Sequence, residues 1–268
     1  MGGIMQLGTN KMIAEKENGI GWMTFNQPER RNAISHEMRL AILEILYDFE
    51  SDDAIRVVVM TGAGDKAFVS GSDISKSEKG AATPTQLEEQ GKVSELMRRR
   101  YESVTKPLIA MIRGFCLGGG VATALQADLR IASEDAQFGI PAARLGNAYN
   151  WDYTQKLVEI VGPARAKEIL ITAKRYSAAE ALQMGLIHQV VPGDALEQTV
   201  REIAAAIVDN SPLSVQAAKL MVDQAAKESR DRDMAAVEAM RKICLNSADF
   251  AEGRRAFNEK RKPQWTGA

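Results

Sequence analysis

The chain has 268 residues, 45% apolar and 26% charged, with 34 Lys and Arg against 35 Asp and Glu for a net charge of −1. That length can bury a large core, as one domain or a domain with an appendage, and the balanced charge gives no reason to expect nucleic acid as a partner. No apolar run approaches the ~20 residues that span a membrane, so no membrane partner is expected.

Met1-Gly2-Gly3-Ile4-Met5 does not read as a signal peptide. The two cysteines, Cys116 and Cys244, make no metal spacing. They read as buried thiols, which suits a reducing, cytoplasmic location.

Residues 13–25 read as a strand pair turning at Glu17-Asn18-Gly19, because Asn-Gly favours a hairpin. Ser35 caps a helix whose Met38, Ile42, Ile45, Leu46 and Phe49 fall at helical spacing. Residues 56–61 form a strand of the buried type. Gly62-Ala63-Gly64-Asp65-Lys66-Ala67 fits a dinucleotide-binding spacing, but that fingerprint needs a helix to open within it. Phe68-Val69-Ser70-Gly71 reads as extended instead, so NAD is not expected.

Residues 75–84 are polar and small and read as a mobile loop. Residues 87–104 form a polar helix that ends in Arg98-Arg99-Arg100. A strand at 108–112, three glycines and a helix at 119–127 follow, then a short strand at 129–133. Residues 164–172 and 178–184 are helical, the second stopped by Gly185. Residues 188–191 are strand-like. From 196 to about 262 only helical spacing is present. The pattern is an α/β core, residues 1–195, followed by a helical region, residues 196–268.

Gly118-Gly119-Gly120 stands at a strand-to-helix junction. Glycines there leave backbone N–H groups uncovered, near the positive end of a helix. Such a place binds an anion or a developing oxyanion, or is a tight turn where backbone packs on backbone.

Together with Ala67-Phe68-Val69-Ser70-Gly71-Ser72-Asp73-Ile74, the triple glycine resembles the crotonase (enoyl-CoA hydratase/isomerase) superfamily. Further matches run in order: Asn26-Gln27-Pro28-Glu29-Arg30-Arg31-Asn32-Ala33, Ala127-Asp128-Leu129-Arg130-Ile131-Ala132, Gln137-Phe138-Gly139-Ile140-Pro141, the segment 178–187, and Glu252-Gly253-Arg254-Arg255-Ala256-Phe257-Asn258-Glu259-Lys260-Arg261. The matches cover nearly the whole chain.

The resemblance implies an α/β fold, a crotonase-like spiral of ββα units, with a C-terminal helical trimerisation region. The assembly would be a homotrimer or a dimer of trimers. It implies an acyl-CoA substrate, with coenzyme A as part of the thioester, no separate cofactor and no metal. Two backbone N–H groups would face the thioester carbonyl, from Ser72, where the family usually has alanine, and from Gly119. Arg30 or Arg31, and Phe257 with Lys260, would hold the coenzyme A phosphates and adenine, the last pair partly across a subunit boundary. Ala33, Gly71, Asp73 and Ile74 complete the implied coenzyme-binding set, with the Asp73 side chain serving the turn.

The family's hydratases add two glutamates, at positions occupied here by Ala122 and Ala142. Alanine neither transfers a proton nor orients water, so efficient hydration is not expected. The polar candidates left are in the segment 149–153. Relatives with other chemistry carry an aspartate at a place that aligns with Asn150; here the carboxylate is Asp152, a proton-transfer candidate or a helix-start acid that favours the dipole. Tyr149 and Tyr153 could donate a proton or simply pack. Arg144 could neutralise a carboxylated acyl group or pair with Asp152. His36 and His188 lie in no triad or metal pattern. The implied activity is of enoyl-CoA hydratase/isomerase type. The alternatives are other enolate chemistry, double-bond isomerisation or decarboxylation, and a non-catalytic acyl-CoA binder.

Overall fold

The structure is a computed structural model that describes residues 3–73 and 83–268. Ile74 and nearly all of the expected 75–84 loop lie outside the described residues. The chain opens with β1 (Gly3–Ile4), β2 (Met12–Glu17) and β3 (Ile20–Phe25). Asn18 and Gly19 turn β2 into β3 with φ of 51° and 82°, which is why Asn-Gly stands there. Helix α1 (His36–Ser51) is capped by Ser35, whose hydroxyl accepts from the Met38 N–H at 3.4 Å. Met38, Ile42, Ile45, Leu46 and Phe49 are all buried, as their spacing required.

Three turns of one pattern follow. Each gives a strand to a first sheet, a short strand to a second sheet, and a helix. They are β4 (Val57–Gly62), β5 (Ala67–Val69) and α2 (Pro84–Ser103); β6 (Leu108–Ile112), β7 (Phe115–Leu117) and α3 (Gly119–Ala124); and β8 (Leu129–Ser133), β9 (Gln137–Gly139) and α4 (Trp151–Thr172). The spiral closes with β10 (Tyr176–Ser177), α5 (Ala178–Gln183) and β11 (Gln189–Val191). Among the described residues the first sheet runs β1-β2-β3-β4-β6-β8-β11 and the second β10-β9-β7-β5. From β3 onward the first sheet is parallel, and so are β5, β7 and β9 in the second. This is the spiral of ββα units.

Strand β4 shows why its sequence is a continuous apolar run. Val58 and Met60 face the main core with α1, while Val57 and Val59 face the opposite side. There they meet Leu196, Val200 and Ala204 of α6 (Leu196–Val208). The expected division at 195/196 therefore falls where a helix begins that packs on the first sheet. Beyond it lie α7 (Pro212–Ala226), α8 (Met234–Asn246) and α9 (Ala248–Glu259). Among the described residues no helix is long and apolar enough to cross a membrane, and no group of acidic, His and Cys side chains is arranged to hold a metal.

Several elements differ from the sequence reading. Strands β5, β7, β9 and β10 have two or three residues each, too short for an alternating pattern to show. Helix α4 starts at Trp151, well before 164, and continues across a kink at Gly162, with φ of 75°, and Pro163. That Gly-Pro pair reads as a helix break, and the kink spares the rest of the helix. Helix α2 starts at Pro84 behind a Thr83 capping box with Gln86. Cys116 is buried, but Cys244 is only half-buried.

The fold leaves no room for side chains around β5. A Cβ on Gly120 would stand 1.9 Å from the Val69 carbonyl oxygen. Gly120→Ala is therefore expected to destabilise the protein by about 1–3 kcal/mol, read as a lowered urea midpoint. Gly91, inside α2 with nothing described within 4 Å, is the control. Gly91→Ala should raise stability by about 0.5–1 kcal/mol.

Candidate functional site

Strands β5, β7 and β9 are parallel neighbours, so the segments that follow them leave the sheet at one edge. The three segments are Ser70-Gly71-Ser72-Asp73, Gly118-Gly119-Gly120 and Ile140-Pro141-Ala142. Sequence alone kept these apart by tens of residues; the sheet puts their first residues side by side.

Ser72 is fixed by Ile34. The Ile34 N–H donates to the Gly71 carbonyl at 2.8 Å, and the Asp73 N–H donates to the Ile34 carbonyl at 3.0 Å. In such a parallel bridge the middle residue turns its own N–H and C=O to the opposite side. On that side stands Gly119, where an added Cβ would lie 3.3 Å from the Ser72 nitrogen and 3.3 Å from its hydroxyl oxygen. Gly119 is the first residue of α3, so its N–H has no carbonyl one turn back to bond. Gly118 takes φ of 54°, and its own N–H is held by the Gly139 carbonyl at 2.8 Å. The arrangement places two N–H groups close together with neither engaged by the backbone of a described neighbour.

The Tyr149 hydroxyl donates to the Gly118 carbonyl at 3.2 Å. That carbonyl also accepts from the Ala122 N–H at 3.1 Å, and it belongs to one planar peptide with the Gly119 N–H, so the Tyr149 bond adds to the hold on the direction of that N–H and polarises it. Burial, with Tyr153 and Cys116 adding to it, pushes the Tyr149 phenol above its ordinary range, so it stays a donor at neutral pH. Its ring lies 6.2 Å from that of Tyr153. Ala122 is buried in α3, and Ala142 packs against the main core. The floor of the site is therefore apolar at both positions.

Asn150 is the cap of α4, accepting from the Asp152 N–H at 2.9 Å and the Tyr153 N–H at 3.3 Å. Asp152 sits in the first turn and pairs with Arg98 Nε at 3.1 Å, its side chain 38% exposed. Arg98 also binds Glu95 and Glu102. The expected partner of Asp152 was Arg144; the structure replaces it with Arg98, because α2 runs beside the start of α4 while Arg144 is exposed on the 3-10 turn at 141–145.

Of the expected coenzyme-binding residues, Arg30, Arg31, Ala33, Gly71 and Asp73 cluster with Ser72. Arg30 pairs with Asp73 at 3.6 Å. Arg31 lies over the Phe115 ring at 5.1 Å, and the Ala33 N–H donates to the Arg30 carbonyl at 3.2 Å. Phe257 and Lys260 lie elsewhere, at the end of α9. Phe257 is 84% exposed on a groove of about 760 Å³ between α7, α8 and α9. Neither histidine adjoins the glycine turn: His36 begins α1, and His188 Nδ1 accepts from the Arg130 N–H at 3.1 Å, with burial and then the Arg130 charge holding its pKa down.

Two residues at the site were not singled out from sequence. Asn32 is fully buried, with Nδ2 donating to the Ala63 and Ala67 carbonyls and Oδ1 accepting from the Gln27 N–H. Arg39 reaches the Ser72 hydroxyl with Nη2 at 3.4 Å. It lies on the flank of the apolar stripe of α1, an ordinary place for an arginine, so no sequence signal marked it.

The family model for enoyl-CoA hydratase/isomerase matches residues 15–268. The short-chain-enoyl-CoA hydratase of Clostridium acetobutylicum is 35% identical, over 94% of this chain and 96% of that protein. The crotonyl-CoA hydratase of Syntrophomonas wolfei is also 35% identical, over 94% and 96%. A solved enoyl-CoA hydratase/carnithine racemase from Magnetospirillum magneticum superposes with a TM-score of 0.90 at 29% identity, covering 97% of both chains.

Asn32→Ala should leave the Gln27 N–H and two strand-end carbonyls without their partner and put alanine at a φ of 55°. A loss of about 2–4 kcal/mol is expected, measured by chemical denaturation.

Proposed function

The chain belongs to the enoyl-CoA hydratase/isomerase family, and from that premise we propose that it binds an acyl-CoA thioester and stabilises the enolate of its acyl group. The observation that supports this reading is the closeness of the Ser72 nitrogen to Gly119, where an added Cβ would lie 3.3 Å from it. When a proton or a carboxyl group leaves the carbon beside a thioester, negative charge develops on the thioester oxygen. Two fixed donors aimed at that oxygen favour the charged state over the neutral one, and each such donor is worth about 10²–10³ in rate. Both come from the backbone, so serine in place of alanine at 72 leaves the donor intact. Tyr149 is the positioning group, holding the Gly118–Gly119 peptide. Arg30 and Arg31, with Phe257 and Lys260 brought in by a neighbouring subunit of a trimer, hold coenzyme A.

The reaction differs from that of a two-glutamate hydratase. With Ala122 and Ala142 there is no carboxylate to activate water at either position. Enolate chemistry that needs no such pair fits better: isomerisation of a double bond, or loss of CO2. Asp152 is engaged by Arg98 in an ion pair, which occupies its carboxylate. Tyr149 and Tyr153 remain as the protonated groups nearest the glycine turn.

Crotonyl-CoA hydration by the purified protein is expected to run at least ~100-fold slower than in a relative with both glutamates. An ordinary hydratase rate would show that the acid–base groups lie elsewhere. In a panel of acyl-CoA esters, the ester that turns over should lose at least ~10-fold in kcat with Tyr149→Phe, at little change in KM, because the bond that orients the donor is gone. Asp152→Asn should leave kcat within about threefold; loss of turnover there would make Asp152 the acid–base group. Esters that bind without any turnover would make the protein a binder.

A further inference from the structure

We infer that Arg39 selects an acyl group bearing its own carboxylate, so that the substrate is the coenzyme A thioester of a short dicarboxylic acid. This rests on the acyl-CoA reading and adds the substrate class. The position of Arg39 is the first argument. Its Nη2 lies 3.4 Å from the Ser72 hydroxyl, and that hydroxyl lies 3.3 Å from where a Gly119 Cβ would stand. Two short steps thus connect the guanidinium to the place where the two N–H groups meet. A carboxylate a few bonds beyond the thioester carbonyl spans that separation, as in malonyl, succinyl or glutaryl groups.

The second argument is what Arg39 lacks. Among the described residues it forms no ion pair, although it is half-buried and its pKa is drawn down by that burial. Two other cations nearby are matched, Arg98 by Glu95, Glu102 and Asp152, and Arg30 by Asp73, while Arg31 lies over the Phe115 ring. A guanidinium stays charged whatever its surroundings, so an unmatched one in a half-buried place is costly until an anion arrives. Its planar fork suits the two oxygens of a carboxylate.

The groups around it favour a polar guest. Ser72 faces it from the segment after β5. Tyr153 lies near it on α4, and Tyr101 of α2 lies near Tyr153. The Tyr101 hydroxyl is buried and has no hydrogen-bond partner among the described residues. The serine that replaces the family's usual alanine supplies the oxygen that holds the guanidinium. A hydrocarbon chain would meet no need of this wall; a carboxylate would meet several.

Calorimetric titration of the purified protein with butyryl-CoA, succinyl-CoA and glutaryl-CoA tests the inference. One of the acidic esters should bind at least about 10-fold more tightly than butyryl-CoA, the range of a charge-assisted hydrogen bond. Arg39→Gln should abolish that preference while butyryl-CoA affinity stays within about threefold, and Arg39→Lys should restore part of it. If Arg39→Gln does not fold, Ser72→Ala serves instead, since it removes the hydroxyl and keeps the N–H; it should weaken the preference. Equal affinity for acidic and neutral esters overturns the inference alone. An equal loss for both in Arg39→Gln also overturns it, assigning Arg39 to the coenzyme A phosphates. Failure of every ester to bind overturns the acyl-CoA reading, and this inference falls with it.

Discussion

The site depends on one steric condition: residues 66–69 run so close to three other chain segments that no Cβ fits between them. A Cβ on Gly62 would lie 2.3 Å from the Ala67 carbonyl oxygen, on Gly114 2.2 Å from that of Lys66, and on Gly120 1.9 Å from that of Val69. These glycines belong to β4, to the turn between β6 and β7, and to α3. Because backbone meets backbone, no side-chain rotamer intervenes, and the position of Ser72 against Gly119 is as firm as the peptide planes themselves. Donors that must act on a developing charge gain from that rigidity, since nothing reorganises when the charge appears. Asn32 adds polar ties to the same region, bonding the carbonyls at 63 and 67.

Parallel pairing then converts this local tightness into a site. An antiparallel β5–β7 pair would send Ser72 and Gly119 to opposite ends of the sheet. Parallel strands joined by crossover helices deliver every following segment to one edge. The third segment brings Pro141 and Ala142 to the same edge, and Tyr149, just before α4, bonds to the Gly118 carbonyl there. On the proposed reading, Ala122 and Ala142 occupy the positions that would carry the two glutamates, so the binding frame and the proton-transfer groups would be separable parts of the fold.

Charge pairing decides the character of the remaining wall. Arg98 gathers three carboxylates, so Asp152, the one carboxylate of the 149–153 segment, is already spent on an ion pair. Among the described residues Arg39 has a hydroxyl as its hydrogen-bond partner and no ion pair. Ordinary surface pairs would contribute little either way, but half-buried groups are screened less, and their imbalance is felt by a ligand.

Sequence by itself determined the secondary elements with enough residues to show a period. The β2–β3 hairpin, α1 with its Ser35 cap, β4, β6, β8 and the helical end of the chain were all legible, as were the glycine turn and the loss of both glutamates. The resemblance to a known family implied backbone N–H roles for Ser72 and Gly119. Tertiary structure decided the rest. Strands of two or three residues carry no period and exist only because neighbours pair with them, so the second sheet, and with it the edge where the site forms, was invisible. The Gly162-Pro163 kink concealed half of α4, because a break signal is local while packing against the core restores the helix. The partner of Asp152 turned on which helix runs beside α4, and the meeting of Arg39 with Ser72 on how α1 lies against the segment after β5. Both are questions of distance between residues far apart in the chain, and only the folded structure answers them.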